Sequence, residues 1–132
     1  MQCPCNIDKE YSKCCQKAHQ NIYSVSSAEV LMRSRYSAFV FANMEYLQKS
    51  HHSKTRPSKK ENRDIKKWTK SVKWLKLEVL NTIYGTLNDA TGTVEFKAYF
   101  MENSAINCIH ENSKFTIENN HWVYVRANEE TN

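Results

Sequence analysis

The chain has 132 residues, with 40% apolar and 25% charged side chains, a length and composition that suit one folded domain. Gly and Pro occur only twice each, so no glycine-rich phosphate loop can be written and a nucleotide cofactor is not expected. The net charge is +5, and the longest apolar run, 38–42, is far short of the roughly 20 residues of a membrane helix.

The chain opens Met-Gln-Cys-Pro-Cys, without the hydrophobic stretch of a signal peptide. The expectation is a soluble, cytoplasmic protein with no membrane insertion. Four of the five cysteines lie in the first fifteen residues: Cys3, Cys5, Cys14 and Cys15. Such a cluster in a reducing compartment points to a metal before it points to disulfides. Rings as tight as Cys3-x-Cys5 and Cys14-Cys15 also strain a bridge. Two thiolates on a turn, stiffened by Pro4, and two more returned by an eight-residue loop supply the tetrahedral set that zinc takes. Ile7 and Tyr11 are expected to pack inside that loop. A closed four-thiolate site is structural rather than catalytic, and it organises a segment too short for its own core. His19, four residues after Cys15, is the rival fourth ligand. The spacing C-x-C-x8-C-C resembles the SEC-C motif, known from the end of the SecA translocation ATPase. The usual Gly-Ser-Gly after the second cysteine is replaced here by Asn6-Ile7-Asp8.

Ser26 and Glu29 have capping-box spacing at the start of a helix that runs to about Ala42. Its apolar face is formed by Val30, Leu31, Ser34, Tyr36, Ser37, Ala38 and Phe41. Arg33 and Arg35 fall on nearly opposite faces, so one is expected to reach inward, toward a carboxylate or a polar pocket. Asn43 caps a second, short helix, Met44 to Lys49, which buries Tyr46 and Leu47. His51 to Pro57 lacks periodicity and reads as a loop. A basic helix follows from Ser58 to about Ser71, with Ile65, Trp68 and Val72 on one face. Residues 49–73 hold ten basic side chains against two acidic ones, a local charge of +8. Lys59, Lys60, Lys66 and Lys67 are the anion-binding candidates of this segment.

From Trp74 the period changes from 3.6 to 2. Leu75, Leu77 and Val79 alternate with Lys76 and Glu78, and Val94, Phe96, Ala98 and Phe100 with Glu95, Lys97, Tyr99 and Met101. Turns are expected at 88–92, 103–104 and 119–120, which leaves four consecutive antiparallel strands. Helices followed by a meander give an α+β fold with helices on one face of a curved four-stranded antiparallel sheet.

Ala28-Glu29-Val30-Leu31-Met32-Arg33-Ser34-Arg35-Tyr36-Ser37-Ala38-Phe39-Val40, behind the cysteine knuckle, resembles the YchJ family of small bacterial proteins. So do Trp74-Leu75-Lys76-Leu77-Glu78-Val79, His110-Glu111-x-Ser113-x-Phe115 and Trp122-Val123-Tyr124-Val125. The resemblance implies a SEC-C-like zinc knuckle over residues 1–22. It also implies a nuclear transport factor two-like cone over 23–128, with a pocket at its open end. It implies no chemistry.

Arg35, Tyr36, Trp74, Tyr99 and Glu111 are the pocket candidates. His110 and Glu111 are adjacent on a strand and face opposite ways. Glu111 shares parity with Phe115 and Ile117, so it points inward, with Arg33 or Arg35 as its natural partner. It is the weak catalytic candidate, a pocket carboxylate acting as general base. The plain alternative is a structural ion pair. His51 and His52 are read as ordinary loop histidines and Cys108 as an inert strand cysteine. Three functions fit. The first is an interaction module contacting a protein or a ribosome-like ribonucleoprotein. The second is a cone that binds or converts a small molecule. The third is RNA binding through the basic helix. A filled pocket would favour the first and an open cavity the second.

Overall fold

The computed structural model describes residues 1–128. A two-stranded hairpin, β1 (Gln2–Cys3) and β2 (Asn6–Glu10), leads through a 3-10 turn, Tyr11–Lys13, into α1 (Cys15–Gln20). A second 3-10 turn, Ile22–Ser24, precedes three helices: α2 (Ala28–Phe41), α3 (Met44–Lys49) and α4 (Lys59–Ser71). The strands β3 (Lys73–Tyr84), β4 (Thr91–Glu102), β5 (Ala105–Glu118) and β6 (His121–Ala127) form one antiparallel sheet in sequence order. The helices lie on one face of that sheet, as expected for an α+β cone.

The caps explain where the helices begin. Ser27, not Ser26, caps α2, accepting the Val30 N–H at 3.1 Å. Glu29 does not close the expected box; it pairs with Arg33 one turn on, at 2.9 Å. Asn43 caps α3 as expected, accepting the Tyr46 N–H. The reciprocal capping box sits at α4, between Ser58 and Glu61.

α2 lies between the knuckle and the sheet, so its buried residues are not confined to one stripe. Leu31, Ser34, Ser37 and Ala38 are fully enclosed and Arg35 nearly so, whereas Val30 and Phe41 stay partly exposed. Cys3, Cys5, Cys15, Ala18 and Ile22 join the same core as Leu31, Val94, Phe115 and Trp122.

Two bulges shape β3. Trp74 pairs with Phe100 and Lys76 with Tyr99, leaving Leu75 unpaired; Val79 and Asn81 likewise flank Leu80. Each extra residue shifts parity by one. That keeps Trp74, Leu77 and Val79 packed against the core and sends Leu75 and Leu80 outward, against the simple alternation expected for Leu75. The turns at Asn103–Ser104 and Asn119–Asn120 have both central residues at positive φ, the geometry that suits the twist of a two-residue hairpin. The β3–β4 turn uses both glycines of the chain. A Cβ on Gly92 would stand 2.4 Å from Gly85 Cα, and Gly85 itself has φ +81. The Gly85 carbonyl accepts the Ala28 N–H at 2.9 Å, so this turn also seats the start of α2.

Candidate metal centre and cavity

The hairpin turn presents Cys3 and Cys5, and the entry to α1 presents Cys14 and Cys15. The four sulfurs all lie within 4.8 Å of one another. Cys3, Cys5 and Cys15 are buried and Cys14 is half-buried. Cys3 Sγ stands 3.7 Å from Cys5 Sγ, and Cys5 Sγ 3.5 Å from Cys14 Sγ. These are not disulfides, whose sulfurs are bonded at about 2.05 Å. Four sulfurs at about 2.3 Å from a tetrahedral zinc stand roughly 3.8 Å apart along each edge. The observed spacings lie close to that value, so the four thiols fit a tetrahedral metal ion.

The electrostatics of the cluster favour one anionic sulfur. Cys5 is pulled down to about 5, chiefly by the hydrogen bond from Cys15, with help from the Cys14 and Cys3 thiols and the Arg33 charge. The Arg33 guanidinium also donates to the Cys5 carbonyl at 3.1 Å. Cys14 is pushed up to about 11 by burial and by its bond to Cys5, and Cys15 is pushed up chiefly by its own bond to Cys5. One thiolate held by neighbouring thiols is an arrangement a divalent soft cation can displace into four thiolates.

His19 stands outside this group. Its Nδ1 lies 2.6 Å from the Tyr11 hydroxyl and its Nε2 2.8 Å from the Ser34 carbonyl. The carbonyl can only accept, so Nε2 carries the proton and Nδ1 accepts from Tyr11. Both ring nitrogens are engaged, and burial lowers the imidazole's proton affinity. Tyr11 packs as expected, against His19 and Phe41, but Ile7 does not: it is 70% exposed on the outer strand of the hairpin.

The cone holds an open cavity of about 230 Å³. Arg35, Tyr36, Trp74 and Glu111 are brought together on its walls. Tyr99 is not. It lies between Ala98 and Phe100 on β4, both of which face the helices, so its ring is on the opposite side of the sheet, under the Lys76 ammonium at 4.9 Å. Glu111 points inward and His110 outward, as parity requires; His110 pairs with Glu95 at 2.7 Å on the outer face. The expected ion pair to Glu111 is absent among the described residues. Arg33 is committed to Glu29, and Arg35 Nη1 donates to the Leu47 carbonyl at 2.9 Å and to Ser50 Oγ at 2.7 Å. Glu111 instead accepts from the Ser113 hydroxyl at 3.3 Å. The Arg35 guanidinium rests 4.7 Å from the Tyr124 ring centroid.

Among the wall residues that the sequence reading did not name as pocket candidates are His51, Phe96 and Tyr124. The Tyr124 N–H donates to the Ser50 carbonyl and the His52 N–H to the Tyr124 carbonyl, so the supposed loop starts as a one-residue extension of the sheet beside β6. That directs His51 inward, against Tyr124, while His52 approaches Glu118 at 3.4 Å. Burial, and then the Arg35 charge, pull His51 down to about 4. Phe96 carried the period-2 signal of its strand, whereas His51 carried none, because a loop without periodicity assigns no facing.

Lys59, Lys60, Lys66 and Lys67 are all exposed along α4. Trp68 turns the other way, donating its indole N–H to Glu102 at 3.2 Å, so it offers no stacking platform beside the lysines. Cys108 is exposed on the outer face of β5. Among the described residues no helix is long and apolar enough to cross a membrane.

Comparison with known proteins places these features. A family model described as YchJ, middle NTF2-like domain, matches residues 27–127. A UPF0225 protein of Vibrio parahaemolyticus is 38% identical over 93% of this chain and 72% of its own length. One of Streptomyces coelicolor is 37% identical over 92% of this chain and 90% of its own. Among solved structures, a SEC-C motif containing protein from Rhodopseudomonas palustris superposes with a TM-score of 0.85 at 27% identity, covering 99% of this chain and all of that one. A second, from Psychrobacter arcticus, gives 0.77 at 29% identity, covering 100% of this chain and 85% of the other.

Proposed function

This chain belongs to the YchJ family, and from that membership we propose that it is a zinc protein whose cysteine knuckle braces an interaction module. The observation that carries the metal is the cluster of Cys3, Cys5, Cys14 and Cys15 with sulfurs at tetrahedral-edge spacing. The ligand set is all sulfur, which suits zinc, and it leaves no open position for a reacting water. Cys15 is the fourth ligand and His19 a buttress, since both nitrogens of His19 are occupied. The role is structural: the metal fixes residues 1–20 against α2. The partner is a protein or ribonucleoprotein surface, reached in the cytoplasm. Support for it comes from the exposed lysines of α4 and from the SEC-C motif shared with the solved neighbours. Metal analysis of the purified chain should give about one zinc per molecule, falling well below that in Cys14→Ser; equal content in the two proteins would refute the assignment. Capture of the same acidic partner by the intact chain and by the Cys14→Ser variant would separate the metal from the interaction.

One observation favours a second reading. The cavity is open rather than filled, so the cone also serves as a small-molecule binding site.

A further inference from the structure

We propose that the cavity takes a small, flat organic acid, held through its carboxylate by Arg35. This rests on the small-molecule reading of the cone and names the class of its ligand.

Arg35 is the central observation. It is 9% exposed, and no carboxylate lies within salt-bridge distance of it among the described residues. Its two hydrogen bonds, to the Leu47 carbonyl and Ser50 Oγ, both leave from Nη1. Nε and Nη2 have no partner among the described residues, where no fully enclosed side-chain nitrogen lacks one, so neither atom is fully enclosed. The open space at Arg35 is the cavity. Burial draws the guanidinium down only to about 10, so it is cationic at neutral pH. A buried cation with two free donors on one edge is a fork for a carboxylate, and leaving it unmatched is costly.

The remaining walls set the rest of the ligand. Tyr36, Phe39, Trp74 and Phe96 set aromatic rings into largely apolar walls, which suits a flat apolar body. Glu111 faces the same space, and among the described residues only the Ser113 hydroxyl is bonded to it. It repels a bare anion and accepts from a hydroxyl or amino group. A ligand with an acid at one end and a donor elsewhere satisfies both residues. At about 230 Å³ the cavity falls below the roughly 300–1,000 Å³ of drug-sized sites. A single-ring acid is the appropriate scale.

The probe is 4-hydroxybenzoate, with 4-hydroxybenzamide as its uncharged counterpart. Each is titrated into the intact, zinc-loaded chain and followed by calorimetry and tryptophan fluorescence, since Trp74 lines the cavity. The acid should bind at least about tenfold more tightly than the amide. Arg35→Met should abolish that preference. Because Arg35 also ties α2 to the end of α3, that variant can fail to fold. Glu111→Gln is the second probe, and it should raise the acid-to-amide ratio by removing a like charge. Ile109→Trp, which fills the space from the wall, should weaken both compounds. Equal affinity for acid and amide, or a ratio unmoved in Glu111→Gln, overturns the anion assignment while the cavity reading stands. No binding of either compound at about 10 mM, or binding indifferent to Ile109→Trp, overturns both.

Discussion

His19 Nε2 lies 2.8 Å from the Ser34 carbonyl, tying the helix that begins at Cys15 to the helix that carries Arg35. Tyr11 completes the staple from the knuckle side at 2.6 Å, and the His19 ring packs 4.7 Å from Tyr46. The cysteine cluster and the cone are thus joined by a half-buried polar chain in which both His19 ring nitrogens are engaged. The bond to Ser34 falls one residue before Arg35, on the helix that lines the cavity.

That chain separates ligand from buttress. His19→Gln should cost on the order of 1–3 kcal/mol in denaturant unfolding, because it strips partners from Tyr11 and the Ser34 carbonyl. It should leave the zinc content unchanged. Cys15→Ser should do the reverse first, lowering zinc. A loss of metal in His19→Gln equal to that in Cys15→Ser would make His19 the ligand after all.

Metal affinity should rise with pH. The Cys5 thiol is held down to about 5, so it is a thiolate at neutral pH without metal. Cys14, pushed up to about 11, and Cys15, pushed up by its bond to Cys5, must lose protons when a cation takes all four sulfurs. Protons therefore compete with zinc, and a chelator should strip the ion faster at pH 6 than at pH 8. Hydrogen exchange should then accelerate over residues 1–20 before it does in the sheet. Stripping rates that do not depend on pH would contradict the thiol origin of the site.

His51 predicts the acid limb of stability. Its folded value is about 4 against 6.5 for the free side chain, because burial penalises the imidazolium. The unfolded chain therefore binds more protons between those values. Stability from His51 is present above pH 6.5 and is lost as pH falls toward 4, by up to about 3 kcal/mol. His51→Phe should flatten that part of a stability-against-pH curve. An identical slope in both proteins would show that the group is not buried in the neutral form.

The main elements were legible because each had a strong local signal. Asn43 capped α3, period 2 marked the strands, and the adjacent asparagines at 119–120 marked a positive-φ turn. The four cysteines were legible because their spacing alone limits what they can bind. The bulges at Leu75 and Leu80 were not, since a one-residue slip leaves no trace in composition and appears only in the register with β4. The Arg35–Glu111 pair was a reasonable expectation that failed for a geometric reason. The Leu47 carbonyl and Ser50 at the end of α3 take the guanidinium first. Tyr99 failed by the rule that placed Glu111 correctly, strand parity, applied to the neighbouring strand.

Gly92→Ala should be among the most damaging single substitutions. The new Cβ would meet Gly85 Cα at 2.4 Å and Gly85 N at 2.6 Å, both backbone atoms that cannot swing away. The β3–β4 turn would have to open, and with it the Ala28–Gly85 hydrogen bond at the start of α2. A loss of several kcal/mol, or no folded protein, is expected. Wild-type stability in that variant would mean that the turn is wider than described.

The lysines of α4 offer the sharpest test of the surface. Lys59, Lys60, Lys66 and Lys67 are exposed and make no ion pair within 4 Å among the described residues, so replacing all four by glutamine should change stability by only about 0.5 kcal/mol each. Zinc content should not move. Affinity for a polyanion should fall, and its dependence on salt should become shallower, because fewer counterions are released per complex. Neutralisation acts on long-range attraction, so the effect should be largest at low ionic strength, where the Debye length is longest. A variant that binds its partner as before at low salt would move the interaction away from α4. The exposed parts of the cysteine knuckle would then be the face to test.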